Sequence, residues 1–223
     1  ASHAIVDMRE CHVLAPELFA LVAPLRKALA RWPGKRLAAD VHLALADQGV
    51  SIEISGPPLE GLTATEAMLD FARDHALARL TLDQGYGPEA LWEPEPVTVT
   101  LSGVAVALPP GGFLQATADG EAALVGAATE WLTGAATVAD LFSGLGGFAF
   151  ALSGSKVLAV EGARDTHLAC KAAAGRSRRV VHALHRDLYR NPLQHDELNR
   201  FAAVVLDPPR AGAREHGAGR SAV

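Results

Sequence analysis

Cysteine is scarce in this sequence, and its scarcity excludes some kinds of site. The 223 residues include only two cysteines, Cys11 and Cys170, too few for the disulfide framework of a small secreted domain. Nine histidines are present, but they are scattered without the close pairing that zinc sites usually show. On its own, the chain therefore carries no complete metal site.

Long apolar runs are also missing. No stretch reaches the roughly 18 consecutive apolar residues that span a bilayer, and no basic region followed by an apolar run opens the chain. We therefore expect a cytoplasmic protein with no membrane partner. Hydrophobic residues make up 49% of the sequence, enough for the core of one large domain or two modest ones.

A strong excess of positive charge is absent. The formal net charge is -5; residues 1-108 hold 8 Lys/Arg against 14 Asp/Glu, and residues 109-223 hold 12 against 11. This balance does not indicate a nucleic-acid-binding protein. Five arginines have side chains that suit phosphate: Arg176, Arg178, Arg179, Arg186 and Arg190. A solvated basic face is the favoured interpretation of these five.

The first 108 residues predict a small α+β domain. Apolar periodicity indicates a helix over 15-31 that Pro24 breaks or kinks. Alternating patterns predict strands at 36-47, 50-55 and 78-82, the first two joined at Gln48-Gly49, and a Thr63/Glu66 capping box opens a helix that runs to His75. Two more strands, joined at Ser102-Gly103, lie within 93-112. This half contains no recognisable catalytic constellation.

From about Pro109 the pattern changes to alternating helix and strand. Helices are predicted at 116-132, 146-153, 163-174 and near 192-199, and strands at 137-142, 156-161, 179-184 and 202-207. This order predicts a parallel sheet with crossover helices over 109-223.

Residues that follow the strands of such a sheet are the first candidates for a ligand site. The first strand leads into a glycine-rich turn that contains Gly144 and Gly147, where backbone amides can approach a nucleotide; a merely tight connection is the alternative. Glu161 ends the second strand about 20 residues later, the spacing at which an acid reaches the ribose of an adenosine cofactor. A surface glutamate that caps the next helix is the competing interpretation.

Two further acids follow later strands. Asp187 follows the third strand, where it could accept a hydrogen bond from an adenine amino group or be a solvated loop acid. Asp207 is followed by Pro208-Pro209, which stiffen a loop able to present Asp207 to a planar base. A dinucleotide-dependent dehydrogenase has no obvious use for this loop, whereas an enzyme that modifies a nucleobase does.

Five segments together resemble the RNA uracil-5-methyltransferase family in order and spacing. They are IVDMRECHVLAPEL (5-18), GFLQAT (112-117), VADLFSGLGGFAFAL (138-152), VEGA (160-163) and LDPPRAGA (206-213). The resemblance implies an α/β fold: a Rossmann-like class I methyltransferase domain with an incomplete parallel sheet, preceded by the small α+β domain. It implies that S-adenosylmethionine is bound and that structured RNA, ribosomal RNA above all, is the substrate.

The resemblance also implies roles for individual residues. The pocket for cofactor and target base would be lined by Gln115, Phe142, Gly144, Gly147, Glu161, Asp187 and Asp207. Cys11 resembles the last cysteine ligand of an iron-sulfur cluster, which would need three further cysteines upstream of Ala1. Family members usually have Asn in place of Thr117, and often Cys and Asn in place of Ser143 and Gly147.

The implied reaction begins with a cysteine thiolate that attacks C6 of uracil, so that C5 takes the methyl group; a general base then removes the C5 proton. We expect both catalytic residues beyond Val223. Cys170 lies mid-helix, where a packing role is the favoured interpretation. The same reaction on transfer RNA, a non-catalytic binding module and, more distantly, a dinucleotide oxidoreductase remain alternatives.

Overall fold

The computed structural model describes residues 9-32 and 38-208, which form two compact units. The first unit comprises Ala1–Val97 and Leu114–Gly120, and the second comprises Thr98–Phe113 and Glu121–Val223. The division therefore falls at Val97 rather than near Pro109, because the hairpin that follows Val97 groups with the second unit. No helix within the described ranges is both long and apolar enough to cross a membrane.

The first unit is a four-stranded sheet with helices packed on it. Its helices are α1 (Pro16–Ala20), α2 (Val22–Leu29) and α3 (Leu62–Asp74), and its strands are β1 (Asp40–Ala46), β2 (Gly49–Ser55), β3 (Arg79–Asp83) and β4 (Pro88–Trp92). The strand order is β1-β2-β3-β4; β2 and β3 are parallel and the other pairs antiparallel. Buried Ile52, Ile54 and Leu80 share one core cluster with Leu25 and Phe71 of the helices.

The structure corrects several local predictions in this unit. The predicted helix over 15-31 is divided at Leu21, so that Pro24 falls in the first turn of α2, where its missing N–H costs no hydrogen bond. Gly61, with φ 89°, begins α3 in place of the predicted Thr63 capping box. Strand β4 was not predicted, because its exposed residues do not alternate between polar and apolar.

The second unit contains the predicted parallel sheet. Its elements are the hairpin β5 (Thr98–Leu101) and β6 (Val104–Ala107), then α4 (Ala118–Trp131), β7 (Thr137–Leu141), α5 (Gly147–Ala151), β8 (Lys156–Glu161), α6 (Arg164–Arg176), β9 (Val181–His185), α7 (His195–Leu198) and β10 (Ala203–Leu206). The four parallel strands have the order β10-β7-β8-β9. Because α4 starts in the first unit at Ala118, only its residues from Glu121 onward belong to the second.

Alternation along the central strands divides the core of the second unit between two faces. Ala139, Leu141 and Val160 form a cluster with Leu188 and Leu193. Val138 and Asp140 point to the opposite face, since successive side chains of a strand alternate. The residues of α6 that are buried include Cys170 and Ala173. The sheet is therefore covered on both faces, as parallel sheets require.

Candidate functional site

The carboxyl end of the parallel sheet contains a topological switch point. From central β7 the chain passes to β8 and β9 on one side, and β10 then pairs with β7 on the other. Ligands of open parallel sheets bind in the crevice that this reversal creates. The residues that follow β7, β8 and β10 are therefore the ones that position the candidate site.

The glycine-rich turn after β7 has an unusual backbone. Phe142, Gly144 and Gly146 have positive φ angles of 63°, 55° and 97°. The turn is held in place because the Ser143 N–H donates to the Val160 carbonyl at 3.0 Å. A Cβ atom on Gly146 would lie 2.6 Å from the Phe150 ring. The sequence directed attention to Gly144 and Gly147, but Gly146 is the glycine that packing makes indispensable.

Glu161, at the end of β8, connects two of the loops at this edge. One carboxylate oxygen accepts a hydrogen bond from the Gly144 N–H at 2.9 Å, and the other accepts from the Ala163 N–H at 2.7 Å. The carboxylate is therefore fixed between the glycine turn and the start of α6. Each oxygen retains acceptor capacity, because a carboxylate has about four lone-pair sites.

Asp140 lies beneath the glycine turn and was not among the predicted site residues. It is completely buried, and neither carboxylate oxygen has a hydrogen-bond partner among the described residues. Burial, followed by the negative charges of Asp207 and Glu161, raises the pKa of Asp140 to about 7, although the backbone amide of Ala149 opposes the shift. The available sequence signal was an acid inside an otherwise apolar strand.

Asp187 shapes the loop that follows β9. Its Oδ1 accepts hydrogen bonds from the backbone N–H groups of Tyr189 at 2.9 Å and Arg190 at 3.2 Å. The Tyr189 ring packs against Phe142, with 5.0 Å between ring centroids. This contact brings the loop after β9 next to the glycine turn. The adenine contact proposed for Asp187 remains a prediction.

The other predicted site residues lie in different surroundings. Asp207 is exposed at the end of β10, and its N–H faces the Leu141 carbonyl at 3.5 Å. The motif that follows it is described only as far as Pro208; residues 209-213 lie outside the described ranges. Gln115 belongs to the segment that groups with the first unit, and its role remains a prediction from its motif.

The two cysteines differ sharply in environment. Cys170 is completely buried, and burial, with the charges of Asp140 and Glu161, raises its thiol pKa to about 12. Cys11 is partly exposed, and its sulfur accepts a hydrogen bond from the Leu14 N–H at 3.3 Å. The backbone N–H groups of Leu14 and Val13 lower its thiol pKa. Within the described ranges, no three metal-binding side chains come together around any point.

Comparison with known proteins agrees with the resemblance seen in the motifs. The chain is 50% identical over 216 residues to an uncharacterized RNA methyltransferase of Zymomonas mobilis, covering 96% of this chain and 54% of that protein. It is 30% identical over 223 residues to the 23S rRNA (uracil(1939)-C(5))-methyltransferase RlmD of Shewanella piezotolerans, covering 96% of this chain and 50% of that protein. No protein-family profile matches the chain.

A solved structure has the same fold. The Pyrococcus abyssi tRNA (uracil-54, C5)-methyltransferase, determined in complex with S-adenosyl-L-homocysteine, superposes with a TM-score of 0.67 at 18% identity. The match covers 93% of this chain and 55% of that one. The second unit thus has the Rossmann-like fold of the class I methyltransferases, and the fold prediction is confirmed.

Over 96% of its length, the chain is thus similar to proteins named as RNA methyltransferases. It spans about half the length of the relatives it matches.

Proposed function

We propose that this chain contributes the S-adenosylmethionine-binding part of a cytoplasmic enzyme that forms 5-methyluridine in structured RNA. The observation that carries the proposal is the Glu161 carboxylate, fixed by Gly144 and Ala163 beside a positive-φ glycine turn at the switch point of a parallel sheet. An acid at this place is positioned to accept hydrogen bonds from the two hydroxyls of a ribose.

The residues of the crevice suit the parts of this cofactor, which supplies an electrophilic methyl group when it is bound. Glu161 would hold the ribose, and the turn that contains Gly144 and Gly147 would lie against the polar tail of the cofactor, with the Gly144 N–H engaged by Glu161. The Phe142 ring offers an apolar surface, and Asp187 keeps an oxygen that can accept from an adenine amino group. Asp207 would contact the target base.

Neither cysteine of the chain supplies the nucleophile in this proposal. The Cys170 thiol is buried and its pKa is raised to about 12, so it is protonated at neutral pH. Cys11 is instead the proposed cluster ligand, but one thiolate of the four that such clusters take does not form a site within the described residues.

Ribosomal RNA is the favoured substrate over transfer RNA. The relative that acts on 23S rRNA is 30% identical to the chain, whereas the structure of the enzyme that acts on tRNA is 18% identical and supports the fold alone. We expect the full-length protein to transfer a labelled methyl group to unmodified ribosomal RNA and to leave unmodified transfer RNA unlabelled. The reverse pattern would contradict the choice of substrate.

Cofactor binding is tested separately by calorimetry with S-adenosylhomocysteine. Replacing Glu161 by Ala should weaken binding by about 1–3 kcal/mol, since charge-assisted hydrogen bonds are lost. Asp165→Ala is the matched control, because Asp165 is an exposed acid in the first turn of α6. The affinity of this variant for S-adenosylhomocysteine should be unchanged. Equal affinities for the wild type and the Glu161 variant would refute the assignment of Glu161.

A further inference from the structure

The amino end of the parallel sheet, opposite the cofactor crevice, carries a group of cations. We call this group the basic rim: Lys156, Arg176, Arg178, Arg179, His182 and Arg200. All are exposed except Arg179, which is half-buried. They lie at the starts of β8 and β9, at the end of α6 and just before β10. Because the strands are parallel, these positions fall together at one end of the sheet.

Acidic side chains are missing from the segments that form this end. Residues 132-139, 153-158, 175-183 and 199-203 contain no Asp or Glu. Glu130 and Glu197 are close neighbours of these segments in the sequence, and Glu197 is held by Arg186 at 2.7 Å. The basic rim therefore keeps a positive potential, although the chain as a whole has a net charge of -5.

A concavity of about 600 Å³ opens at the centre of the basic rim. Lys156, Arg179 and His182 line it, together with apolar Leu158, Val180 and Phe201. The Val180 side chain is 60% exposed. Cations around an aromatic and aliphatic floor are the combination with which proteins bind a nucleic-acid strand: phosphates lie on the cations and a base can rest on the floor.

We infer that the basic rim is a second RNA-binding surface of this protein, which contacts phosphates of the substrate away from the target uridine. This inference rests on the proposed function. The six residues of β8 separate the basic rim from Glu161 by about 16 Å, given the rise of a strand. An RNA that reaches both ends must therefore extend over several nucleotides, which favours a folded substrate over a short one.

The geometry of the arginines agrees with this role. Arg179 donates one hydrogen bond to the Ser102 carbonyl at 3.3 Å, which orients its guanidinium and leaves other N–H groups of the fork to bind. Arg186, by contrast, is not available, because it is engaged by Glu197, Asn191 and Pro192. The arginines of the 176-190 segment thus fall into three kinds: the rim cations Arg176, Arg178 and Arg179, the structural Arg186, and Arg190, whose side chain lies 3.6 Å from the Asp187 carboxylate.

The test is the salt dependence of RNA binding by the full-length protein, with a fluorescent ribosomal stem-loop as the probe. The triple variant Lys156→Gln, Arg176→Gln and Arg178→Gln should bind roughly tenfold more weakly in low salt. The slope of log affinity against log salt concentration should become shallower by about 2, since each lost phosphate contact removes about 0.7–0.9. Affinity for S-adenosylhomocysteine should stay unchanged.

Two further variants separate a local contact from an effect of net charge. Lys27→Gln, Arg31→Gln and Arg73→Gln remove the same charge from exposed sites of the first unit and should keep the wild-type slope. The other variant combines Lys156→Arg, Arg176→Lys and Arg178→Lys. It keeps the rim positive, so it should also keep the wild-type slope. Equal losses in the two Gln triples, or an unchanged slope in the rim triple, would overturn the inference.

Three outcomes would distinguish this inference from others. Binding of inorganic polyphosphate as tightly as RNA of equal charge would identify a general polyanion surface and overturn the assignment to RNA. If the wild type transfers methyl groups and the rim triple variant binds RNA with the wild-type salt dependence, the proposed function stands and this inference fails. Absence of methyl transfer, with the rim-dependent slope retained, would contradict the proposed reaction and keep the RNA surface.

Discussion

The carboxyl end and the amino end of the parallel sheet are formed by the same four strands. They differ in the burial and charge of their side chains and in the strain of their backbone. At the carboxyl end, Asp140 is completely buried without a partner among the described residues, and three residues of the glycine turn have positive φ. At the amino end, the cations are mostly exposed. Strain and buried charge are concentrated where functional sites form, because elsewhere they only cost stability.

This contrast predicts that substitutions at the carboxyl end affect folding most. Gly146→Ala should destabilise the protein by about 2–5 kcal/mol, because a Cβ there meets the Phe150 ring at 2.6 Å while the backbone has φ 97°. Urea unfolding measures the loss. Gly154→Ala is the control: no atom lies within 4 Å of its added Cβ, so its stability should hardly change. A wild-type midpoint for Gly146→Ala would contradict the packing described for the turn.

Asp140 should make the free energy of unfolding depend on pH, which gives a second test of the comparison. Its pKa is about 7 in the folded protein and near 4 in the unfolded chain, so the folded state binds more protons between these values. The stability should therefore fall by a few kcal/mol as the pH rises from about 4 to 7, and then level off. Asp140→Asn should be much less sensitive to pH in this window.

The measurement is the free energy of unfolding of both proteins at several pH values. Subtracting the two curves removes the contributions of other groups, including Glu197, whose pKa is lowered to about 2 by the hydrogen bond from Arg186. Its stabilising contribution is complete above its unfolded value and is lost as the pH falls through about 2. Parallel curves for the wild type and Asp140→Asn would show that Asp140 is not the origin of the pH effect.

Most of the parallel sheet could be predicted from the sequence, for physical reasons that its strands share. Strand β8 has its predicted bounds of 156-161, because a six-residue, largely apolar run between a turn and a helix has the length of a strand and is too short for a typical helix. Glu161 and the glycine turn could be found because strand ends and their spacing can be read from the sequence. Strand β4 could not, since it is an exposed strand that begins at a proline.

Other features depend on atoms that are distant in sequence. Gly146 is constrained by Phe150 and by Cys170, whose sulfur would lie 3.1 Å from an added Cβ. The raised pKa of Asp140 depends on burial first, and then on the charges of Asp207 and Glu161. The hairpin β5–β6 groups with the second unit through contacts such as that of Arg179 with Ser102. None of these contacts leaves a periodic pattern in the sequence.

A cation at the carboxyl end should behave differently from those of the basic rim. Arg186 pairs with both oxygens of Glu197, at 2.7 and 3.0 Å, and its side chain is 15% exposed. Arg186→Gln should lower the melting temperature, because a charge-assisted pair is lost at a partly screened site. Thermal unfolding tests this, with Arg190→Gln as the control, because the ion pair of Arg190 with Asp187, at 3.6 Å, is exposed to solvent and contributes little. Equal melting temperatures for the two variants would contradict a structural role for Arg186.

The smallest effect on stability is expected at the basic rim itself. Lys156, Arg176 and Arg178 are exposed, and none of the three makes a side-chain hydrogen bond or ion pair within the described ranges. Their removal costs no contact and relieves repulsion between like charges. The Gln triple variant should therefore match the wild type within about 0.5 kcal/mol. Any gain in stability at low salt should disappear in about 0.5 M KCl, where screening acts within a few ångströms. Urea unfolding at both salt concentrations measures this. A loss of more than about 1 kcal/mol would mean that these cations hold the fold together, and the contrast between a strained carboxyl end and an unstrained amino end would then be wrong.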